Sequence, residues 1–454
     1  MITIQSQNKR LTVYPDGRKY PQYHYTVHST LDKDAFANPV ARDLIRVGQA
    51  IFAADRVVRR KSYLGGQTRD IHVEIDLENP LLFRKAMKEL ISFAGFCTLD
   101  NWDFNFGSLK SITKADVKVS DRNLGKFNCV ALFSDGLDSL CGAARLIKSG
   151  STPFFVSHFQ PRWGYTTMIN RLHEISSAVG KQDYKNESIS IRFDLSDKSP
   201  DGRHNYFPEN SRRSRPCLYL CYAAAIAVEY NIEKILIHEN GILAMNLPYS
   251  KSHFGALISR HAHPVTLHRM QEFLSRIWQN QVNSPIIENP FFKLTKADQV
   301  LQFCKDLPQE LVESTNSCEN SSRALLSYKG SLKKQKSGKT SGFTHCGVCT
   351  PCHIRRQAMS FHGYAEKNNY AFGWRGPESG KNNLPQIFIN DNFQLLEKYC
   401  RELLKKSKID FLLQYLTEFS MLSECFDDME EVIGDIYNLQ KHFAKEYLRT
   451  IENL

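Results

Sequence analysis

The stretch that decides the fold is Lys126-Phe127-Asn128-Cys129-Val130-Ala131-Leu132-Phe133-Ser134-Asp135-Gly136-Leu137-Asp138-Ser139. Phe127–Phe133 is a nearly continuous apolar run, the pattern of a strand buried on both faces. A glycine turn follows, and the apolar spacing from Leu137 predicts a helix over 137–148. A strand that turns directly into a helix presents unpaired N–H groups and the positive end of the helix dipole, where a polyphosphate binds. Gly136 lets the backbone approach such a ligand, and Ser134 and Ser139 offer hydroxyls. Asp138 belongs beside an anion only if it holds the loop or a Mg²⁺ ion. A plain capped strand–turn–helix is the alternative. The Walker sequence GxxxxGK[ST] does not occur in the chain.

Downstream, strands are predicted at Pro153–His158, Ser188–Asp194 and Lys234–His238, with helices at Thr166–Gly180 and Ser214–Tyr230. Strands alternating with helices predict an α/β fold with a parallel, doubly wound sheet, which binds ligands beyond the carboxyl ends of its strands. Upstream, residues 1–125 read as an N-terminal α+β domain. Leu11–Tyr14 is a strand running into a turn at Pro15-Asp16-Gly17, and Tyr23–His28 is a second strand. Asn38 caps a helix with Pro39 at its first position, continuing to about Arg59. Ile71–Leu77 alternates as a half-buried strand, and Asn79-Pro80 opens another helix. Lys61–Arg69 is a basic, glycine-bearing loop, read as a solvated turn with phosphate contact as the alternative. The nucleotide-type unit is assigned to 126–365, with a Lys-rich insertion at 319–345. A helical C-terminal extension, 366–454, would serve as a lid, packing layer or docking surface.

The 454 residues correspond to about two to four domains. A hydrophobic fraction of 42% and a charged fraction of 24% exclude a disordered or fibrous chain. Lys and Arg number 59 against 48 Asp and Glu, a surplus of +11 that suits an anionic ligand or partner. The N-terminus has no export signal, and the longest apolar run, Cys217–Val228, is short of the ~18 residues of a membrane span. A cytoplasmic protein is expected.

In that compartment structural disulfides are rare. Eight of the twelve cysteines are isolated and read as small core residues. The other four are Cys318 and the C-x-x-C-x-x-C of Cys346, Cys349 and Cys352. Four thiolates fit a closed tetrahedral Zn²⁺ site, structural and not catalytic, with an Fe–S centre as competitor. His345 and His353 flank it as spare ligands.

The ordered set resembles the QueC-like 7-cyano-7-deazaguanine synthase family of PP-loop ATP pyrophosphatases. It comprises the loop 133–139, Leu294-Thr295-Lys296-Ala297-Asp298, Ser317-Cys318 and the cysteine run ending at Arg355, and covers about half the chain. Asp135 replaces the first glycine of the family's SGGxDS loop, so its carboxylate must turn away from phosphate or meet a metal. Phe159–Arg162 and Ser211–Leu220 resemble further family stretches, and Glu239-Asn240-Gly241 replaces the family's acidic, serine-rich substrate loop. With its flanks, the chain is most similar to the QueC-like components of the Qat anti-phage defence system.

The resemblance implies a HUP-like, Rossmann-type PP-loop sheet with a Cys₄ zinc site. It implies ATP, Zn²⁺ and Mg²⁺ as cofactors, and partners encoded beside the chain, an ATPase and a TatD-like nuclease. The implied reaction transfers AMP from ATP to a 7-carboxy-7-deazaguanine-type carboxylate, releases pyrophosphate and couples the acyl group to an amine. In the family that amine is ammonia; the added front unit, Lys-rich loop and helical tail suit a docking macromolecule and point to the N-terminus of a protein partner instead, and neither nucleic acid nor a membrane is required. Ser134, Asp138 and Ser139 are the catalytic candidates. Ser134, Asp135, Gly136, Leu137, Asp138, Ser139, Arg162, Arg215 and Lys296 are the ATP-site candidates, the basic three neutralising pyrophosphate or the carboxylate. Replacing Asp138 or Ser139 by Ala is expected to leave the fold intact. A non-catalytic nucleotide-binding scaffold and a PP-loop tRNA-modifying enzyme are the rival classes.

Overall fold

The computed structural model describes residues 2–7, 10–18, 23–29, 36–58, 60, 68–109, 126–158, 164–180, 184, 188–195, 209, 213–249, 260–278, 284–318, 345–364, 366, 370–375 and 392–453. Its strands are β1 (Ile2–Gln7), β2 (Arg10–Arg18), β3 (Tyr23–Ser29), β4 (Asp70–Leu77), β5 (Asn101–Ser108), β6 (Cys129–Leu132), β7 (Pro153–His158), β8 (Ser188–Leu195), β9 (Lys234–Leu236) and β10 (Ile286–Glu288). They form one ten-stranded sheet in the order β10-β9-β6-β7-β8-β3-β2-β1-β4-β5.

The segment β10-β9-β6-β7-β8 is parallel throughout. Its order reverses between β6 and β9, so the chain winds outward from β6 in one direction and from β9 in the other. Such a switch point opens a crevice beyond the strand ends, and the loops after β6 and β9 line it. Cys129, Ala131 and Phe155 pack with helices Leu137–Lys148 and Gly164–Ala178 on one face. Val130, Phe154 and Val156 pack with helix Arg215–Tyr230 on the other. Burial on both faces is the physical reason for the nearly continuous apolar run at 127–133, and burying a Val or Phe side chain there contributes about 1.5–3 kcal/mol. Gly142 brings the two halves of the crevice together. A Cβ there would stand closer than 3.0 Å to the ring of His238, just past β9.

The front unit does not end where its own elements end. β3 pairs antiparallel with β8, extending the parallel sheet into the antiparallel strands β3, β2 and β1. Helix Pro39–Val57 packs on helix Arg215–Tyr230, and residues from 36–106 and 127–287 share one apolar cluster. Polar contacts join the same elements. Glu229 accepts the Ala37 and Asn38 N–H groups at 2.9 Å each, Gln49 donates to the Tyr222 hydroxyl at 2.6 Å, and Ser214 donates to Asp55 at 2.6 Å. Packing is therefore continuous across the first sequence-drawn boundary.

Two buried ionic groups brace this unit. Arg42 holds Glu78 in a two-point pair at 2.8 and 2.7 Å, and Arg46 adds contacts to Glu78 and Asp43. Burial alone would raise the Glu78 carboxyl, but Arg42 and Arg46 outweigh it and bring it to about 2. Arg69 sits between Asp55 and Asp100, with Arg60 also on Asp100. Arg69 is thus engaged inside the fold, away from any phosphate; residues 61–67 of its loop lie outside the described residues.

One local expectation is corrected. Pro15-Asp16-Gly17 does not turn; it lies in β2. The ladders to β1 and β3 end at Tyr14 and Val13, so Pro15 continues the extended backbone where no ladder N–H is required of it. The expected alternation of β4 is present, with Ile71, Val73, Ile75 and Leu77 buried. Helices Asn392–Lys405, Lys408–Gln414, Leu416–Leu422 and Met429–Glu452 form a packing layer against Ile242, Val265 and Ile354. No described helix is long and apolar enough to cross a membrane.

His263 yields a pH test. It caps helix Pro264–Ile277, its Nδ1 accepting the Val265 N–H at 3.2 Å, and burial followed by the charge of Arg260 lowers its pKa to about 3. An unfolded His protonates near 6.5, so between those values the unfolded chain carries the extra proton and stability falls as pH falls. Asn caps a helix equally well and does not titrate. Between pH 7.5 and 5, the stability of His263→Asn relative to the wild type should therefore improve by about 2 kcal/mol in urea unfolding. A pH-independent difference would contradict the buried neutral imidazole.

Candidate functional site

The loop after β6 closes on itself through short polar contacts. The Ser134 and Ser139 hydroxyls lie 2.9 Å apart, and Ser134 Oγ accepts the Gly136 N–H at 3.2 Å. Gly136 is the helix N-cap and provides no side-chain acceptor. Among the described residues, no acceptor takes the N–H groups of Leu137, Asp138 or Ser139. The Leu137 side chain is in the core, so it contributes only its backbone to the loop.

The two carboxylates of the loop point away from that opening. Asp135 turns to Arg171, which contacts it at 2.6 and 2.9 Å. This is the turning-away that its replacement of a glycine demands. Asp138 is buried against the ammonium of Lys296, which is itself 1% exposed. Asn240 donates to Asp138 at 3.3 Å. Gln299 completes the set, with its amide turned so that the nitrogen faces Asp138 and the oxygen accepts the Asn240 N–H at 3.0 Å. Burial pushes the Asp138 carboxyl up to about 7, opposed by Lys296 and assisted by the neighbouring Glu239. Glu239 moves the other way. Burial would raise it, but His261, at 2.8 Å, outweighs that effect.

Lys296 is therefore a buried partner of Asp138, and Arg215 lies beside His158 at the end of β7, Nη2 to Nδ1 3.5 Å. Arg162 lies outside the described residues, as do 319–344, which hold the Lys-rich stretch. The sequence reading missed Arg171, Gln299 and His261. Arg171 sits within a helix and carries no local signal, whereas Glu239-Asn240-Gly241 was visible as a departure from the expected loop.

The four cysteines converge. All four Sγ atoms lie within 4.8 Å of one another, and all four residues are buried. Cys346 and Cys352 Sγ are 3.8 Å apart. A single tetrahedral ion with Zn–S bonds of about 2.3 Å has S–S edges of about 3.8 Å, whereas a polynuclear cluster holds its thiolates further apart. The cluster therefore fits one ion such as zinc. Backbone N–H groups of Cys346, Val348 and Cys349 donate to sulfur at 3.2–3.4 Å. Hydrogen bonds from Cys318, Cys349 and Cys352 hold the Cys346 thiol down, while Cys349 and Cys352 are raised; four buried thiolates need a dication to coexist. Gly347 makes the knuckle at φ +88°, and a Cβ there would collide with the Phe372 carbonyl. His345 and His353 are not part of the set. His345 Nε2 accepts the Ser317 N–H at 3.2 Å, and His353 packs against Trp374 and Phe393.

Segment 311–318 connects the cysteines to the loop. Arg355, 0% exposed, donates to Thr315 Oγ1 at 2.6 Å and to the Val312 and Glu313 carbonyls, and pairs with Glu366. From the other side Arg171 donates to Leu311 and Ser314. The Asn316 N–H then donates to the Asp135 carbonyl at 2.7 Å. Cys318 thus ends a strut that braces the loop after β6.

Comparison of the chain with family models, with curated proteins and with solved structures gave no match.

Two outcomes follow from this geometry. Elemental analysis should find one zinc for each Cys₄ cluster, and Cys349→Ser should lose that equivalent together with melting temperature, because metal binding energy here is folding energy. Iron with a visible charge-transfer band, or no metal, would overturn the assignment. The expectation that Asp138→Ala spares the fold is corrected, because it would strand a buried Lys296. We expect a loss of about 3–5 kcal/mol for Asp138→Ala in chemical denaturation, against no more than about 1 kcal/mol for Ser139→Ala. Equal losses would deny the pair its structural weight.

Proposed function

We propose that the chain is an ATP-dependent carbon–nitrogen ligase that activates a 7-carboxy-7-deazaguanine-type carboxylate, in the antiviral setting implied by its resemblance to the QueC-like family. The observation that carries the proposal is the switch-point helix start, with the N–H groups of 137–139 and one O–H of the bonded Ser134–Ser139 pair left for an anion. A carboxylate is a poor acyl donor because oxide would have to leave. Attack of its oxygen on the α-phosphorus of ATP forms an acyl adenylate and expels pyrophosphate. The loop's N–H groups would stabilise the charge gathering on the leaving phosphates. An amine then attacks the carbonyl carbon, AMP leaves, and the amine loses a proton. His261, held by Glu239 at 2.8 Å, is the group of the crevice suited to take that proton.

Mg²⁺ is not assigned to this loop. Asp135 is paired with Arg171 and Asp138 with Lys296, so neither is placed to ligate it. The zinc of the Cys₄ site would hold segment 311–318 and leaves no open position for chemistry.

The acceptor is proposed to be the N-terminal amine of a protein partner. An unperturbed α-amine titrates near ~7.7–8.0, against ~10.4 for Lys, so it is substantially deprotonated at neutral pH. The flanks added to the α/β unit offer surface for such docking, and positioning alone redirects an activated acyl group.

Pyrophosphate release with and without 7-carboxy-7-deazaguanine is the test. Release that depends on the carboxylate and falls at least about tenfold in Ser139→Ala supports the reading. No release with any carboxylate would favour a nucleotide-binding scaffold. Intact mass of neighbouring gene products, co-expressed with the chain, then separates a protein conjugate from free nitrile or amide.

A further inference from the structure

The C-terminal helix brings a second set of ligating side chains to the same end of the helix that carries Lys296's charge into the site. His442 and Glu446, four residues apart on helix Met429–Glu452, face Asp298, the third residue of helix Lys296–Phe303. His442 Nε2 lies 3.3 Å from Asp298 Oδ1 and 3.2 Å from Glu446 Oε1. All three ligand atoms fall within 4.8 Å of one another. Among the described residues, no Lys or Arg is within ion-pair distance of either carboxylate, and one imidazole nitrogen serves both.

The set is held in place from behind. Asp298 Oδ2 accepts the Thr295 N–H at 3.0 Å in a capping box, which leaves Oδ1 for the cluster. Glu446, 5% exposed, accepts from Thr295 Oγ1 at 3.2 Å and from the Gln357 amide at 3.4 Å. Gln357 is 0% exposed, and its Oε1 has no hydrogen-bond partner. A buried carboxylate facing a second carboxylate, with one imidazole nitrogen between them, is a surplus of negative ends around one point. A cation relieves it. A tetrahedral ion bound at about 2.0–2.1 Å has ligand edges of about 3.3–3.4 Å, the spacing His442 already keeps from both carboxylates. One imidazole with two carboxylates suits a divalent first-row ion, and the half-exposed imidazole leaves a path for its entry.

We propose that Asp298, His442 and Glu446 bind a divalent transition-metal ion, Zn²⁺ or Mn²⁺, that clips the C-terminal helix to the capping box beside Lys296. The site is separate from the Cys₄ centre and is independent of the ligase reading. Thr295 and Gln357 orient the Glu446 ligand, as outer partners do at metal centres.

Protein carrying zinc at its cysteines, titrated with Co²⁺, provides the test, read by calorimetry and visible absorption. The wild type should take one further equivalent, with weak ligand-field bands and no thiolate charge-transfer band, and its melting temperature should rise. His442→Ala, at a half-exposed position whose loss leaves the core filled, should take none and show no rise. Cobalt entering the cysteine site would announce itself by a charge-transfer band that survives in His442→Ala. A wild type that takes no further equivalent, or a further equivalent that persists in His442→Ala, overturns the proposal and leaves His442 as a hydrogen-bond partner of the two carboxylates.

Discussion

The buried pair of Asp138 and Lys296 sets the constraint that the rest of the site obeys. Two charges out of water are tolerable only if each remaining lone pair and proton finds a partner. Asp138 receives Asn240 and Gln299 in addition to Lys296. Those partners come from the end of β9 and from helix Lys296–Phe303, so satisfying one carboxylate fixes three elements against one another. The capping box of Thr295 and Asp298 follows, since the helix must start where its first residue reaches Asp138. Thr295 and Asp298 then meet Glu446 and His442, which carries the same constraint out to the C-terminal helix.

A second chain of contacts makes the cysteine cluster part of the site without placing it at the chemistry. Segment 311–318 has few apolar residues of its own. Two arginines anchored on opposite sides, Arg171 and Arg355, hold its carbonyls. Cys318 fixes its end, and Asn316 delivers the restraint to the Asp135 carbonyl. A metal in the cluster thereby acts on the loop through backbone geometry. Asp135, the residue that departs from the glycine of the resembling family, is accommodated by the same arrangement, because Arg171 takes up its carboxylate.

The front unit solves an edge problem. In the parallel half alone, β8 would present a row of unpaired backbone groups, a template for unwanted pairing. β3 covers it, and the antiparallel strands carry the sheet on to β4 and β5. Helix Pro39–Val57 adds the apolar face that helix Arg215–Tyr230 needs, with Gly48 placed where the two helices meet at Cys217 and Cys221. The buried Arg–carboxylate groups around Glu78 and Asp100 fix this packing in direction, which apolar contact alone does not do.

Local pattern determined a good deal. The double-sided apolar run at 127–133, the helix at 137–148, the strand at 153–158 and the C-x-x-C-x-x-C knuckle were legible because each depends on near neighbours in the chain. The ligand identities at Cys318, Cys346, Cys349 and Cys352 followed from chemistry and spacing. Tertiary structure decided what those residues meet. Asp138 read as an exposed helix-start residue because nothing nearby in sequence reveals Lys296, 158 positions away. Arg171 gave no signal because its partners Asp135 and Ser314 are 36 and 143 residues distant. The strand order and the joining of the front unit to the parallel sheet belong to the same class. Side-chain periodicity records which face of an element is buried, whereas the neighbour that buries it is chosen by long-range packing and by the need to pair every buried charge.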